Sequence, residues 1–183
     1  SSPVVDVVEE WGSRLPFVRN PDGTYTAPSR VLATLTQNSD GSWTFVRQQT
    51  QVFTFDSSGR EAAQKDLNGY ATTLAYDSSH RLSTVTDSAG RTLTFAYGSN
   101  GKISKVTDPM GRVTAYGYDA ADDLTTVTDP MGRVTTYGYD SLHNMTSVTR
   151  PLGGHSTSSY DSARRVVSHT DALGHTTTFT YSA

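Results

Sequence analysis

A repeat constrains this chain more than any other feature. Asp-Pro-Met-Gly-Arg-Val-Thr-Ala-Tyr-Gly-Tyr-Asp begins at Asp108, and Asp-Pro-Met-Gly-Arg-Val-Thr-Thr-Tyr-Gly-Tyr-Asp begins at Asp129, an offset of 21 residues. Steps of the same length in both directions keep meeting the same residue types. Gly recurs at Gly69, Gly90, Gly111, Gly132, Gly153 and Gly174. Tyr recurs at Tyr76, Tyr97, Tyr118, Tyr139, Tyr160 and Tyr181, with Phe55 in phase one step earlier. Asp66, Asp87, Asp108, Asp129 and Asp171 form a third column, interrupted by Arg150. Self-similarity at a fixed period of this length marks a repeat architecture, whose units bury apolar surface against their neighbours.

Each unit carries two turn signals separated by short runs rich in Thr, Val, Tyr and Phe, residues that suit a pleated strand. The first turn is Asp-Pro-Met-Gly at Asp108 and Asp129. Asp at the first position bonds back to its own backbone, Pro pre-sets φ at the second, and Gly enters the left-handed region at the fourth. That combination predicts a type I turn with a G1 bulge. The second turn follows the Tyr, as in Asp77-Ser-Ser-His80, Asp119-Ala-Ala-Asp122 and Asp140-Ser-Leu-His143. Gly, Asp or His at its fourth position tolerates positive φ; Arg164 is the exception and is expected to be the most strained of the set. Each repeat therefore reads as a β-hairpin. The fold class is all-β, a meander of antiparallel hairpins building a curved, spiralling sheet.

An odd period raises a parity problem. Side chains alternate faces with period two, so a repeat of 21 residues would send successive Tyr residues to opposite faces. Each unit then needs one correction. Leu82 to Val85, Leu124 to Val127 and Met145 to Val148 are spaced by three, which cannot keep both side chains inward on a regular strand. A β-bulge is expected between them.

Ahead of the periodic region, Val4-Val5-Asp6-Val7-Val8 reads as a β-branched strand. Asn20-Pro-Asp-Gly23 and Asn38-Ser-Asp-Gly41 are further hairpin turns, and Thr50 to Phe55 is a strand. Glu61 to Leu67 favours helix by propensity, but its phase matches strands in later repeats, so a degenerate strand is expected. No linker or charge run divides the chain. Residues 1–183 read as a single all-β unit, with lead-in strands and hairpins over 1–54 and six repeats over 55–183.

Composition narrows the function classes. A net charge of −3 with no basic stripe gives no footing for nucleic acid. With no Cys, disulfides and thiolate zinc sites are excluded. No apolar run approaches membrane-spanning length, and Ser1-Ser2-Pro3 does not begin a signal peptide. Lacking an initiator Met, the chain reads as a piece of a longer protein or a mature fragment.

Tyr118-Asp119, Asp123-Leu124, Val127-Thr128-Asp129 and Gly132-Arg133, recurring in six in-phase copies over 55–183, resemble the YD repeats of the RHS-repeat family. The lead-in residues, from Leu15-Pro-Phe17 to Phe53-Thr-Phe55, are similar to the segment preceding such arrays in bacterial members. The resemblance implies hairpins wound into a hollow β-shell. In bacterial polymorphic toxins and toxin-complex C components that shell encloses a C-terminal toxin, and in teneurins a related shell serves cell adhesion. It implies a secreted or cell-surface protein, bacterial in origin, whose partner is the rest of its own chain or a toxin cargo. Autoproteolysis is not implied, because the Asp-Pro-Met-Gly matches are repeat turns.

The candidate site residues divide between architecture and binding. The Asp column, with Asp87, Asp108 and Asp129 its clearest members, reads as turn acceptors paired to Arg91, Arg112 and Arg133. Equivalent Asp residues two strands apart sit roughly 10 Å from each other, too far to share one metal ion. His80, His143, His155, His169 and His175 offer bases, yet no Gly-x-Ser-x-Gly elbow frames a nucleophile. No enzyme activity, cofactor or metal is expected. Paired Tyr columns at Tyr116, Tyr118, Tyr137 and Tyr139 read first as shell lining. The alternative is an adhesion module that stacks carbohydrate or grips protein on Trp11, Trp43, Tyr116 and Tyr137. Open strand edges at both ends predict self-association unless the Val4–Val8 segment caps one.

Overall fold

The computed structural model describes residues 3–182, and among these there is no helix. The lead-in forms strands β1 (Val4–Val8), β2 (Arg14–Arg19) and β3 (Tyr25–Thr26), then β4 (Ala33–Gln37), β5 (Trp43–Arg47) and β6 (Gln51–Phe55). The repeats supply β7 (Glu61–Asp66), β8 (Ala71–Tyr76), β9 (Leu82–Thr86), β10 (Thr92–Tyr97), β11 (Ile103–Thr107) and β12 (Val113–Tyr118). They continue through β13 (Leu124–Thr128), β14 (Val134–Tyr139), β15 (Met145–Thr149), β16 (His155–Tyr160), β17 (Val166–Thr170) and β18 (Thr176–Thr178). Strands β1 to β3 make one sheet, and β4 to β18 make a 15-stranded antiparallel sheet whose order is the chain order and which does not close. Internal contacts cluster the chain into two compact units that divide after Thr92. The sequence offers no boundary there, because the period runs through it unbroken.

The turns form as their residues dictate. In the Asp129 turn the Gly132 amide donates to the Asp129 carbonyl at 2.9 Å and the Asp129 amide to the Arg133 carbonyl at 3.0 Å. Gly132 takes φ +77°, the left-handed value that closes a G1 turn. His80, Asp122, His143 and Arg164 hold the equivalent position with φ from 61° to 67°. Arg164, at 61°, is not set apart from the other three. The window at Glu61–Asp66 is a strand, so periodicity prevails there over helix propensity.

The parity problem is solved by the expected bulge. Gly117 faces Thr126 and Tyr118 faces Leu124, so Thr125 is left over on the longer strand. The same shift leaves over Ala62, Ser83, Ser104, Thr146 and Val167. One bulge per unit turns the odd period into an even number of facing residues. At three of these positions the extra residue's hydroxyl is put to use. Ser83, Ser104 and Thr125 donate across the strand pair to the carbonyls of Ala75, Ala96 and Gly117 at 3.1–3.3 Å.

In the unit ending at Thr92, β1 to β3 stack on one face of β4 to β6. Val7, Phe17, Leu35 and Phe45 are buried between them, and Phe17 has no exposed surface. Phe17 meets Phe45 edge to face with ring centroids 6.0 Å apart. β1 pairs with β2, and so covers a sheet face; the Val4–Val8 segment does not cap the sheet edge at β4. From Leu93 onward no described residue is buried. That unit is a single layer held by its ladders and by contacts along each face.

Candidate functional site

The bulges sort the side chains of the second unit into two unlike faces. On one, Phe95 faces Val106 and Tyr97 faces Ile103. Tyr116 then faces Val127 and Tyr118 faces Leu124, while Tyr137 faces Val148 and Tyr139 faces Met145. On the other, Ala115 faces Thr128, Thr136 faces Thr149, Gly138 faces Ser147 and Thr157 faces Thr170. An aromatic and aliphatic face thus backs onto one of small residues and hydroxyls. Register places Gly117 and Gly138 on the second face, where a Cβ would overlap the Thr126 and Ser147 hydroxyl oxygens.

Tyr76, Tyr118, Tyr160 and Tyr181 of the Tyr column are anchored at their hydroxyls. The ladder between β11 and β12 ends at Lys105, short of the bulge, and the Ile103 carbonyl beyond it accepts from Tyr118 Oη at 3.2 Å. Tyr76, Tyr160 and Tyr181 donate likewise to the carbonyls of Glu61, Met145 and Val166 at 2.7–2.8 Å. Each ring thereby closes a gap that its neighbour's bulge opens in the ladder. Cations cover several rings: Arg60 lies 4.9 Å from the Tyr76 centroid, Lys102 5.8 Å from Tyr118 and Arg165 4.4 Å from Tyr181. At the phase of those cations, the residue preceding Tyr139 is Asp123, whose carboxylate is 3.0 Å from His143 Nδ1. Burial first, and then the Asp123 charge, push the Tyr139 hydroxyl above its ordinary range.

The Asp residues serve the turns. Asp129 Oδ1 accepts from the Met131 and Arg133 amides, and Oδ2 from Arg133 Nε at 2.6 Å. Asp108 and Asp87 repeat this with Arg112 and Arg91. The Arg133 amide, then the guanidinium, holds the Asp129 carboxyl below the usual carboxylate range; for Asp87 the Arg91 guanidinium comes first.

The stacking candidates do not converge. Trp11 is 90% exposed in the turn between β1 and β2. Trp43 is engaged in the first unit's intersheet packing, edge to face with Tyr25 at 5.4 Å. Tyr116 and Tyr137 share the aromatic face of the second unit, on alternate strands. Among the histidines, His169 Nδ1 lies 3.1 Å from Ser158 Oγ, and no carboxylate orients that ring among the described residues. His80 reaches back to Arg60 across adjacent turns. No group of three or more His, Asp or Glu among the described residues is arranged to hold a metal ion.

Sequence reasoning found the turns, the faces and the bulges. It missed the contacts between turns of neighbouring repeats, as of His80 with Arg60 and of His143 with Asp123, and a recess beside Glu61. A signal for the recess lay in the columns themselves, where a carboxylate interrupts an aliphatic phase.

The fold and face together define a hairpin-repeat β-wall. The family model for the RHS repeat matches at residues 55–92, 76–109, 97–130 and 118–156, together more than half of the chain. The chain belongs to the RHS-repeat family. No curated protein matches it in sequence. Among solved structures it is similar to the TcdB2–TccC3–Cdc42 structure, with TM-score 0.57 and 16% identity over 93% of this chain and 9% of that one. TcdB2–TccC3 without its hypervariable C-terminal region gives 0.58 and 16% over 92% and 12%. The Photorhabdus luminescens Tc holotoxin pore gives 0.57 and 14% over 92% and 12%. At such identities the likeness is one of fold. The chain spans about a tenth of the length of these proteins.

Proposed function

We propose that this chain is a section of the wall of an RHS shell in a longer, secreted bacterial protein. In this reading the aromatic face lines the compartment and receives, or presents, a cargo polypeptide supplied by the same chain. The observation that carries it is the aromatic face of residues 93–182, a unit in which no described residue is buried. A face of this kind on a repeat scaffold is made to be covered. The solved relatives add support: one is TcdB2–TccC3 without its hypervariable C-terminal region, and another is a Tc holotoxin pore. The chain has no catalytic part in this reading; its work is done by hairpins adding edge to edge.

The test is tyrosine footprinting by hydroxyl radicals on the isolated chain and on the full-length protein that contains it. Tyr116, Tyr118, Tyr137 and Tyr139 should be reactive in the former and protected several-fold in the latter. Deleting the region that follows the repeats should restore reactivity. Equal reactivity in all three would refute a lining role. A second reading, adhesion through the same face, predicts saturable binding of glycans or proteins by the isolated chain. Open edges at β4 and β18 also predict concentration-dependent growth in mass by light scattering.

A further inference from the structure

Strands β9, β11 and β13 of the array each carry an aliphatic pair at one phase, and β7 carries none. Glu61 and Gln64 on β7 occupy the phase filled later by Leu82 and Val85, by Ile103 and Val106, and by Leu124 and Val127. The register puts both on the aromatic face, with Glu61 facing Phe55 and Gln64 facing Phe53. A carboxylate and an amide thus stand where an aliphatic pair is the rule. Both line a cavity of about 340 Å³ that is floored by Phe45, Phe53 and Phe55 and bounded by the end of β1. The cavity lies wholly within the unit that ends at Thr92.

The charges around it do not balance. Arg47 lies 5.2 Å from the Phe53 centroid and is already held by Glu9 and Glu10, at 3.4 and 3.1 Å, and by Gln51. Three carboxylates, of Glu9, Glu10 and Glu61, line the recess beside one guanidinium, that of Arg47. The Glu61 carboxylate has no hydrogen-bond or ion-pair partner among the described residues, while its main-chain carbonyl accepts from Tyr76 Oη. Burial, then the neighbouring Glu10, push its carboxyl above the ordinary range. Leaving a half-buried carboxylate unpaired is unfavourable. A cation would relieve it, and aromatic faces beneath would attract the same charge. The volume lies near the lower end of ligand pockets, about 300–1,000 Å³, which suits one side chain or a small amine.

We propose that this recess binds an alkylammonium group, either a free primary amine or the side chain of a lysine in a bound polypeptide. Glu61 is its counter-ion, Gln64 an acceptor through its amide oxygen, and Phe53 and Phe55 cover its methylene stem. The proposal is independent of cargo enclosure, since the recess and the aromatic face of residues 93–182 belong to different units.

The test is a titration followed by amide NMR shifts, with n-butylammonium, Nα-acetyl-lysine N-methylamide and its uncharged norleucine counterpart. Both ammonium probes should give saturable shifts at Phe53, Phe55 and Gln64, and norleucine none. Glu61→Leu restores the aliphatic phase and should weaken binding at least tenfold, as should Glu61→Gln if the leucine variant does not fold. A response to butylammonium alone supports the site and assigns it to free amines, whereas a response to the lysine derivative as well admits polypeptides. Shifts with norleucine equal to those with lysine, binding unchanged by loss of Glu61, or no saturable response overturns the proposal.

Discussion

Truncating Phe17 tests whether the lead-in sheet is held where the structure has it. Phe17 is fully buried and forms the centre of the small core with Val7, Leu35 and Phe45. Transfer of its ring to water accounts for about 1.5–3 kcal/mol. The cavity left beside Phe45 adds to this, so Phe17→Ala should cost about 3–5 kcal/mol, edge-to-face contact included. With a urea slope of about 2 kcal/mol/M, the midpoint should fall by roughly 1.5–2.5 M. Trp43 packs against the same interface and supplies the fluorescence signal. Leu152→Ala, at a side chain 97% exposed, is the control and should shift stability by no more than about 0.5 kcal/mol. A Phe17→Ala loss below about 1 kcal/mol would refute the reasoning, because a ring that buried cannot be removed so cheaply unless the layer is not docked.

Tyr160→Phe removes the hydroxyl that donates to the Met145 carbonyl at 2.7 Å and should cost about 0.5–1.5 kcal/mol by chemical denaturation. Arg164→Gly relieves a left-handed residue of roughly 1 kcal/mol but adds about 0.5 kcal/mol of unfolded-chain entropy, so a small gain in Tm is expected. Acid should weaken the array. Asp87, Asp129, Asp140 and Asp161 all have folded-state carboxyls below their ordinary range, so their contribution is present above about pH 4 and lost as pH falls through the lowered values. Midpoints measured from pH 6 down to pH 2 should drop, and Asp129→Asn should flatten that dependence.

Much of the fold was legible because it is local. A turn of Asp-Pro-Met-Gly closes within four residues, and its Asp, Gly and following Arg make the bonds that their chemistry favours. The bulge was legible for a related reason. An odd period with one column on one face admits few solutions, and Leu124 with Val127 showed where the extra residue had to go. Even β7, whose composition favours helix, was settled by its phase. The Tyr column was legible to the same extent: Tyr118 and Tyr139 share one face because each unit carries the bulge that an odd period requires.

What the period cannot encode is contact between segments that do not share it. Trp43 looked available for a ligand, yet Tyr25 and the intersheet packing take it. Val7 and Phe17 pack over Leu35 and Phe45, so the lead-in covers a face where the sequence suggested an edge. Glu61 was one polar substitution in a column until the end of β1 closed over it and made a recess. The sequence by itself determined the hairpins, their registers and the two unlike faces, since neighbouring residues dictate turns and alternation. Only the tertiary structure decided which stretch of face is covered and which stays open, because that depends on docking surfaces brought together from distant parts of the chain.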